Sequence, residues 1–329
     1  MRKKALVTGA TGFIGSRLCK ELKKENWEIR ALALEGENCD HISDDISEIV
    51  TGDITRPATL SGIGDNMDVV FHLAARVLDY GSKKQFYDPI YNGTQNMINA
   101  CAGQAKRFLF VSSIAACGLG RHLKGFSETD IPQKSGIPYN DAKTDAEKLV
   151  RSYQNRFKNG CTIIRPSNVI GPKSAWVDEL GRQFQKSVVP LIDKGQYSAS
   201  LIYVDNLVDG IIKAGTSDTA SGQTYQLRDD WDVTWKQYLT DLSALVGKKP
   251  FGSVPYSIAW AIATIAEKLT TPLGIRPPAT RLAIAVMGRD NDVDTSKAQK
   301  ELGWHTKITY PEAMERIAQW VQDNLMNKQ

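Results

Sequence analysis

The feature that most constrains the fold is the first 24 residues, which combine the patterns of a strand, a glycine-rich turn and a helix. Residues 3–7 form a short apolar run that suits a buried parallel strand. From residue 12 to about residue 24, apolar residues recur at helical spacing and basic residues fall on the opposite face. Between them lies the turn Thr8-Gly9-Ala10-Thr11-Gly12-Phe13-Ile14-Gly15. A strand and a helix joined by such a turn are typical of the start of a doubly wound α/β sheet.

Each glycine of this turn has a physical reason. Gly9 permits a tight turn, Gly12 lets the backbone approach a phosphate, and Gly15 lets the helix and the strand pack closely. The unpaired N–H groups at the helix start favour an anion there. A turn without a ligand is the alternative, but we interpret it as a dinucleotide site whose residues are Gly9, Thr11, Gly12, Phe13, Ile14 and Gly15.

Strand and helix patterns alternate beyond this unit. Further apolar strand candidates lie at residues 28–34, 48–50, 69–73, 108–111, 162–164 and 201–204, with helices notably at 85–101 and 139–157. This alternation predicts a doubly wound parallel (Rossmann) sheet with helices on both faces. After Pro172 helical patterns dominate, which predicts a smaller, mostly helical C-terminal substrate lobe. We expect the dinucleotide-binding domain at 1–170, with 201–228 returning to it, and the substrate-binding lobe at 171–200 and 229–329.

A phenol and an ammonium lie one helical turn apart in Tyr139-Asn140-Asp141-Ala142-Lys143. Reducing a ketone requires a proton donor, and the reverse oxidation requires a base. An ordinary tyrosine titrates near pH 10, and a neighbouring cation favours the phenolate. We therefore expect Lys143 to lower the pKa of Tyr139. An ordinary amphipathic helix is the alternative, but Ser112 and Ser113 end a strand where such sheets place their ligand crevice.

The bulk properties exclude several classes of protein. The 329 residues have a formal net charge of +4, and the basic residues are scattered, which argues against a nucleic-acid partner. Five cysteines without C-x-x-C spacing predict neither a metal site nor a disulfide framework. The sequence lacks a secretory signal, so we expect a cytoplasmic protein without an integral membrane span. The most apolar stretch, residues 257–266, is too short to span a bilayer; we interpret it as a core helix, rather than a helix that lies on a membrane or covers an apolar pocket.

The motifs, in their order along the chain, resemble the extended short-chain dehydrogenase/reductase family. The matching stretches are TGATGFIG, Gly52-Asp53-Ile54, His72-Leu73-Ala74-Ala75, Val111-Ser112-Ser113, Tyr139 to Lys143, Arg165-Pro166, Gly171-Pro172, Tyr203-Val204-Asp205-Asn206-Leu207, Asp294-Thr295-Ser296-Lys297 and Leu302-Gly303-Trp304. The resemblance covers nearly the whole chain. It implies hydride transfer with NAD or NADP.

The resemblance also implies roles for individual residues. Tyr139, Lys143 and Ser113 would be catalytic, and Tyr139 and Lys143 would also lie against the cofactor. Asp53 would accept a hydrogen bond from the adenine amino group, and Ile54 would lie against the adenine ring. The remaining cofactor neighbours would be Leu73, Ala74 and Ala75 near the ribose, and Pro166, Ser167 and Asn168 beside the nicotinamide.

Two positions depart from the family pattern. In the N-x-x-G-T motif that ends at Gly93-Thr94, the asparagine position holds Ile90, and Asn92 is out of register, so we assign it no role. The second departure concerns the end of the second strand, where a carboxylate favours NAD and a basic residue favours NADP. Glu35, Arg17 and Arg30 are all candidates there, which leaves the choice open.

Three functions are compatible with these motifs. The favoured one resembles 3β-hydroxysteroid dehydrogenases and dihydroflavonol reductases: alcohol–ketone interconversion on a small, apolar or flat substrate in a lobe containing Trp176, Val188, Val189, Pro190, Leu191, Trp260 and Ile262. The second is a nucleotide-sugar epimerase or dehydratase, with the candidate diphosphate ligands Arg182, Arg228, Arg276 and Arg281. The third, a non-catalytic cofactor-binding sensor, is disfavoured because Tyr139 and Lys143 are both present. A homodimer through residues 85–101 and 139–157 is expected by analogy.

Overall fold

The computed structural model describes residues 2–327, so Met1 and residues 328–329, at the ends of the predicted domain ranges, lie outside the described residues. Seven parallel strands form the main sheet in the order β11-β7-β5-β4-β1-β2-β3. They are β1 (Lys4–Thr8), β2 (Glu28–Ala33), β3 (Glu48–Thr51), β4 (Val69–His72), β5 (Arg107–Val111), β7 (Cys161–Pro166) and β11 (Thr224–Leu227). The predicted doubly wound sheet is confirmed.

The strand order reverses beside β1, which pairs with β2 on one side and β4 on the other. Val7, for example, lies between Ala31 and Phe71, and all three are buried. In an open sheet of this kind a crevice forms at the carboxyl ends of the strands, at the point where the order reverses. The glycine-rich turn follows β1 directly and therefore lies at that crevice.

Eleven α-helices are formed within residues 2–327. They are α1 (Phe13–Lys24), α2 (Lys83–Tyr87), α3 (Gly93–Cys101), α4 (Pro138–Ser152), α5 (Ala175–Lys186), α6 (Val204–Thr216), α7 (Trp235–Ala244), α8 (Tyr256–Thr270), α9 (Arg281–Met287), α10 (Ser296–Leu302) and α11 (Tyr310–Val321). A π-helical segment, Asp88–Asn92, joins α2 to α3, so the helix predicted at 85–101 contains a local change of pitch.

Six short strands form three pairs outside the main sheet. They are β6 (Leu123–Phe126) with β13 (Asn291–Val293), β8 (Asn168–Ile170) with β10 (Leu201–Tyr203), and β9 (Leu191–Ile192) with β12 (Ser253–Val254). The predicted strand at 201–204 is therefore formed but pairs with β8 instead of extending the main sheet. The edge strand next to β7 is β11, whose polar Thr224 and Gln226 are buried, so an apolar run does not reveal it.

The hydrophobic core lies on both faces of the sheet. On one face it includes residues of α1 and α6, and on the other residues of α3 and α4. No helix formed by residues 2–327 is both long enough and apolar enough to cross a bilayer.

The interpretation of residues 257–266 as a core helix is wrong. They form most of α8, in which only Ala259 and Ala263 are buried. These small side chains face α9 and the cluster around Ile192 and Ile284, whereas the larger aliphatic side chains of α8 point to solvent. Apolar content alone predicted burial, but the contact surface of the helix is its alanine side.

Candidate functional site

The glycine-rich turn has a geometry that fits a pyrophosphate. Gly9 adopts a φ of +68°, and a Cβ on Gly15 would lie 2.0 Å from the Gly9 carbonyl oxygen, so a side chain at either position would distort the turn. Helix α1 begins after the exposed Gly12, which has no side chain to cap the helix. Its first N–H groups therefore point to the crevice, where an anion would be stabilised.

A carboxylate lies beside this turn at a position that the sequence did not suggest. Glu37 accepts hydrogen bonds from the Thr11 hydroxyl and, at 2.8 Å, from the Leu34 N–H. The backbone turn Leu34–Glu37, closed by a 3.1 Å hydrogen bond, brings Glu37 back to the end of β2. Both Glu35 and Glu37 are exposed, but it is Glu37 whose hydrogen bonds to Thr11 and Leu34 make it the acid at this strand end. In the sequence, the sign of this contact is a second acidic residue, Glu37, two positions beyond Glu35.

The two arginines considered as phosphate ligands are engaged elsewhere. Arg30 Nε lies 2.7 Å from Glu48, and its Nη1 donates to the Ile63 carbonyl at 2.9 Å. Arg17 Nε lies 3.4 Å from Asp205. Of these charged side chains, Glu37 is thus the one that contacts the turn. A carboxylate there suits ribose hydroxyls better than a ribose phosphate.

A buried hydrogen-bond chain, also unexpected, fixes the end of β4 against the turn. The Ala74 N–H donates to Thr8 Oγ1, which lies 2.8 Å from His72 Nδ1. On the other side His72 Nε2 lies 3.1 Å from Thr94 Oγ1, and this hydroxyl donates to the Ile90 carbonyl. Burial lowers the pKa of His72 to about 3, so the imidazole is neutral. The chain holds Ala74 within 3.0 Å of the point where a Gly9 Cβ would lie.

The other predicted cofactor neighbours lie at the carboxyl ends of the strands. Leu73, Ala74 and Ala75 follow β4 and are partly exposed, and Pro166 ends β7. Ser167 is buried, and Asn168 Nδ2 donates to the Ala199 carbonyl at 2.7 Å. Their contacts with nicotinamide and ribose remain predictions.

Asp53 and Ile54 follow β3 at the same edge of the sheet. Asp53 Oδ1 accepts from both the N–H and the hydroxyl of Thr55, at 2.8 and 2.7 Å. Ile54 packs on Gly93, where an added Cβ would lie 2.8 Å from the Ile54 side chain. One carboxylate oxygen thus closes a local turn, and the role of these two residues toward adenine remains a prediction.

The structure brings Ser113 and Tyr139 together. Ser113 follows β5, and its Oγ accepts from the Ala115 N–H at 3.1 Å, capping the 3-10 helix Ile114–Cys117. Tyr139 lies in the first turn of α4, and its phenol is close enough to the Ser113 side chain for this neighbour to act to lower its pKa. Phe86 packs edge-on against the Tyr139 ring at a centroid distance of 6.1 Å.

The expectation that Lys143 lowers the pKa of Tyr139 is wrong for this structure. Burial raises the pKa of the phenol, and the neighbouring Ser113 side chain offsets only part of that increase. The Lys143 ammonium donates to the Val111 carbonyl at 2.8 Å and lies 4.7 Å from the centre of the Phe110 ring. Burial lowers the pKa of Lys143 to about 7, so even its own charge is destabilised there.

A buried ion pair underlies these residues, and sequence reasoning missed it. Glu147, one turn after Lys143, forms a two-pronged contact with Arg165 at 2.9 and 2.7 Å. The Ser112 hydroxyl donates to Glu147 at 2.7 Å, and Arg151 donates to it at 2.9 Å. Burial acts to raise the pKa of Glu147, but the arginines hold it below its ordinary value. The Glu147 charge in turn partly offsets the burial of Lys143.

The departure at Ile90 has a structural counterpart. Ile90 is buried in the π-helical segment, and its carbonyl accepts a hydrogen bond from the Thr94 hydroxyl. Asn92 is exposed, and its amide donates to Asp88 at 3.2 Å. The Asn92 side chain is thus engaged locally within its own helical segment.

Part of the predicted substrate lobe approaches the Ser113 turn. Trp260 stacks on Tyr256, whose hydroxyl donates to the Gly120 carbonyl at 3.3 Å. Trp176 packs on Trp235, and Val189 is in the core. Val188 and Ile262 are 62% and 52% exposed, and that they line a pocket stays a prediction. A hollow of about 380 Å³ lined by Gln154 to Lys158 lies at the amino end of β7, away from this site.

A phosphate-binding turn and a Tyr–Lys–Ser group at one edge of a doubly wound sheet define a nicotinamide-dependent enzyme acting on CH–OH groups. The chain belongs to the NAD dependent epimerase/dehydratase family, whose model matches residues 5–227. The predicted family, enzyme class and nicotinamide cofactor are confirmed at this level.

Two relatives and one structure illustrate the range of similar proteins. The chain is 27% identical to a 4-hydroxy-2-methyl-3-oxo-4-farnesyl-3,4-dihydroquinoline-1-oxide ketoreductase of Stigmatella aurantiaca, over 96% of both chains. It is 28% identical to a UDP-glucose 4-epimerase of Vibrio cholerae, over 97% of this chain and 95% of the relative. A UDP-glucose 4-epimerase structure from Thermotoga maritima superposes with a TM-score of 0.78 at 20% identity, over 98% and 99% of the two chains, and shows the shared fold.

Proposed function

We propose that this chain interconverts a secondary alcohol and a ketone on a small apolar or flat substrate, using Tyr139, Lys143 and Ser113. The observation that carries the proposal is the proximity of the Ser113 side chain to the Tyr139 phenol at the carboxyl edge of the sheet. It supports two adjacent hydroxyl groups facing one substrate oxygen. The bound nicotinamide supplies or accepts the hydride.

In the direction of reduction, Tyr139 donates its proton to the oxygen of the substrate carbonyl, and Ser113 donates a hydrogen bond to the same oxygen. The raised pKa of Tyr139 keeps the phenol protonated at neutral pH, which suits a proton donor. Lys143 lies beneath this pair. It is expected to turn from the Val111 carbonyl toward the cofactor ribose when the dinucleotide is bound.

The arginines of the lobe favour a reductase over a nucleotide-sugar enzyme. Each of the four candidate diphosphate ligands contacts a carboxylate of this chain: Arg182 with Asp178, Arg228 with Asp292, Arg276 with Asp79 and Glu179, and Arg281 with Glu267. A diphosphate would have to displace these partners. The aromatic pair Tyr256–Trp260 instead offers an apolar wall near the Ser113 turn.

The relatives named above support both readings of the substrate. The Stigmatella protein is named as a ketoreductase of a farnesylated dihydroquinoline oxide, and the Vibrio protein as a UDP-glucose epimerase. We favour the former class because it agrees with the ion-paired arginines and the aromatic wall. The two classes differ in net cofactor turnover: a reductase changes the redox state of the cofactor in each reaction, whereas an epimerase does not.

The test is a comparison of wild type with Tyr139→Phe on panels of secondary alcohols, ketones and UDP-sugars, with NAD(H) and NADP(H). We expect wild type to oxidise or reduce cofactor with an apolar alcohol or ketone. The variant should lose this activity by roughly 10²–10⁴-fold, the usual contribution of a general acid, while its cofactor affinity is kept. Tyr153→Phe, on a tyrosine outside the site, is the matched control.

Two outcomes would contradict the proposal. Turnover of a UDP-sugar without net cofactor change would assign the chain to the epimerases. Unchanged cofactor turnover in Tyr139→Phe would remove the tyrosine from catalysis.

We also infer a cytoplasmic protein that forms a homodimer through α2–α3 and α4. Light scattering of the wild-type protein tests the dimer, and a monomer at micromolar concentration would contradict it.

A further inference from the structure

The solvent-facing side of α8 is apolar along its whole length, contrary to the usual arrangement of a surface helix. Ile258, Ile262, Ile265 and Leu269 fall on one face and are between 52% and 67% exposed; we call these four residues the α8 outer face. The chain continues this surface with Leu273 and Ile275, which are 71% and 54% exposed. Half of the twelve large hydrophobic side chains exposed among residues 2–327 therefore lie within residues 258–275.

On α8 itself the outward charge is positive. The single acid of α8, Glu267, turns toward the protein and pairs with Arg281 at 2.7 Å. Lys268 is exposed beside the outer face. Just before the helix along the chain, exposed Lys248 and Lys249 precede Phe251, which is 74% exposed.

We propose that the α8 outer face docks on a lipid bilayer with anionic headgroups, with α8 lying in the plane of the interface. An apolar helix face with cations at its border and no outward acid is the pattern of a peripheral membrane helix. Aliphatic side chains would enter the acyl boundary, Lys268 would meet headgroup phosphates, and Phe251 suits the interfacial zone.

The composition of the surface favours lipid over another protein chain. Protein interfaces are enriched in aromatic residues, methionine and arginine at their centre. The α8 outer face instead consists of isoleucine and leucine, and its nearest exposed charge is a lysine, a residue depleted at protein interfaces. Charge complementarity with an anionic surface is therefore the better match.

Docking through this face would bring the membrane to the candidate site. The inner side of α8 supplies Tyr256 and Trp260, which approach Gly120 after the Ser113 turn. One helix thus separates the bilayer from the apolar wall of the cleft. This consequence rests on the proposed function, but lipid binding itself does not, and the test measures binding alone.

The experiment is flotation of the full-length protein with vesicles of phosphatidylcholine alone or with phosphatidylglycerol added. Wild type should float with the anionic vesicles and less with phosphatidylcholine, and high salt should weaken its binding. The variant Ile265→Glu/Leu269→Glu should bind at least tenfold less, since both side chains are exposed and the fold does not need them. Ile49→Glu, on the edge strand β3 at the far side of the sheet, is the matched control.

A second variant, Lys268→Glu, changes no buried group and should reduce binding to anionic vesicles while leaving binding to phosphatidylcholine unchanged. Cofactor binding and thermal unfolding of each variant report its fold. The proposal is overturned if wild type stays in the dense fraction with both lipid compositions, or if the double variant floats like wild type. If wild type does not float but is a dimer that the double variant dissociates, the α8 outer face is a protein interface instead.

Discussion

The position of the Glu37 carboxylate explains how this chain would choose between the two nicotinamide dinucleotides. Its oxygens accept hydrogen bonds from Thr11 in the glycine-rich turn and from Leu34 at the end of β2. A fixed negative charge at this strand end would accept from ribose hydroxyls and repel a ribose phosphate. Glu37 therefore favours NAD.

We predict that Glu37→Gln lowers the ratio of NAD affinity to NADP affinity by about tenfold, which corresponds to about 1.4 kcal/mol. The repulsion of a phosphate is lost, and ribose hydroxyls lose a charged acceptor. Titration of the protein with each dinucleotide measures the ratio. Glu35→Gln, at an exposed acid two residues away, should leave it unchanged. An unchanged ratio in Glu37→Gln would exclude this residue as a determinant of cofactor choice.

His72 predicts a dependence of stability on pH. Burial lowers its pKa from the ordinary 6.5 to about 3, so the unfolded chain binds a proton below pH 6.5 while the folded chain does not. The free energy of unfolding therefore falls as pH decreases from 6.5 toward 3. For this group the loss between pH 7 and pH 5 is about 2 kcal/mol.

Urea unfolding at the two pH values checks this prediction. His72→Gln should show a pH-dependent loss smaller than that of wild type by about that amount. The exposed His305 provides the control, since His305→Gln should keep the wild-type dependence. Equal pH dependence in wild type and His72→Gln would contradict the assignment.

At the scale of elements, the Glu147–Arg165 pair joins α4 to β7 beneath the proposed catalytic residues. Both side chains are 1% exposed, and Ser112 at the end of β5 shares the same carboxylate. The pair thus fixes the helix that carries Tyr139 and Lys143 against two strands of the sheet. Its geometry explains how a buried charge is tolerated, because Arg165, Arg151 and Ser112 all donate to it.

We predict that Glu147→Gln lowers the free energy of unfolding by about 3–5 kcal/mol, since it leaves the Arg165 guanidinium buried without its counter-charge. Chemical denaturation measures the loss. The exposed pair Glu21–Lys24 is the control, because Glu21→Gln should cost less than about 1 kcal/mol. A loss below about 1 kcal/mol in Glu147→Gln would show that the pair is not a structural link.

The Glu147→Gln variant should also change the pKa of Lys143. Without the Glu147 charge the pKa of Lys143 should fall further, because that charge is what opposes the effect of burial. A shift in the pH profile of turnover is therefore expected in addition to the loss of stability.

At the scale of the whole molecule, a three-way contact ties the lobe to the loop after β4. Arg276 Nη2 lies 2.6 Å from Glu179 of α5 and 3.3 Å from Asp79, and Thr280 donates to Asp79 at 3.1 Å. The segment that follows α8 is thereby fixed over the carboxyl edge of the sheet. The charges are partly exposed, so their role is to position the segment and not to supply much stability.

We predict that Arg276→Gln lowers the midpoint of thermal unfolding by less than about 4 °C but speeds amide exchange in residues 76–81. Hydrogen exchange followed by mass spectrometry measures the second effect. Arg182→Gln removes the Arg182–Asp178 pair of similar exposure and should leave exchange in that loop unchanged. Unaltered exchange in Arg276→Gln would show that the contact does not fix the loop.

The sequence predicted the sheet because its strands are apolar runs separated by helical periods, and β1, β2, β4 and β5 lie within a residue of the positions expected. It also predicted the glycine-rich turn, because this turn depends on local spacing, whereas the role of Ser113 beside Tyr139 followed only from the family resemblance. Edge strand β11 was missed because its buried residues include Thr224 and Gln226, which have hydrogen-bond partners that are distant in sequence.

Local pattern by itself determined the strand–turn–helix unit and, through the order of its motifs, the family and class of enzyme. Tertiary structure decided the charge states, because burial and the Val111 carbonyl hold Lys143 and Tyr139 in an environment that no spacing reveals. It also decided that Glu37 and not Glu35 meets the turn, and that α8 turns its isoleucines outward. Each of these depends on which side of an element meets the rest of the chain, and only long-range packing fixes that.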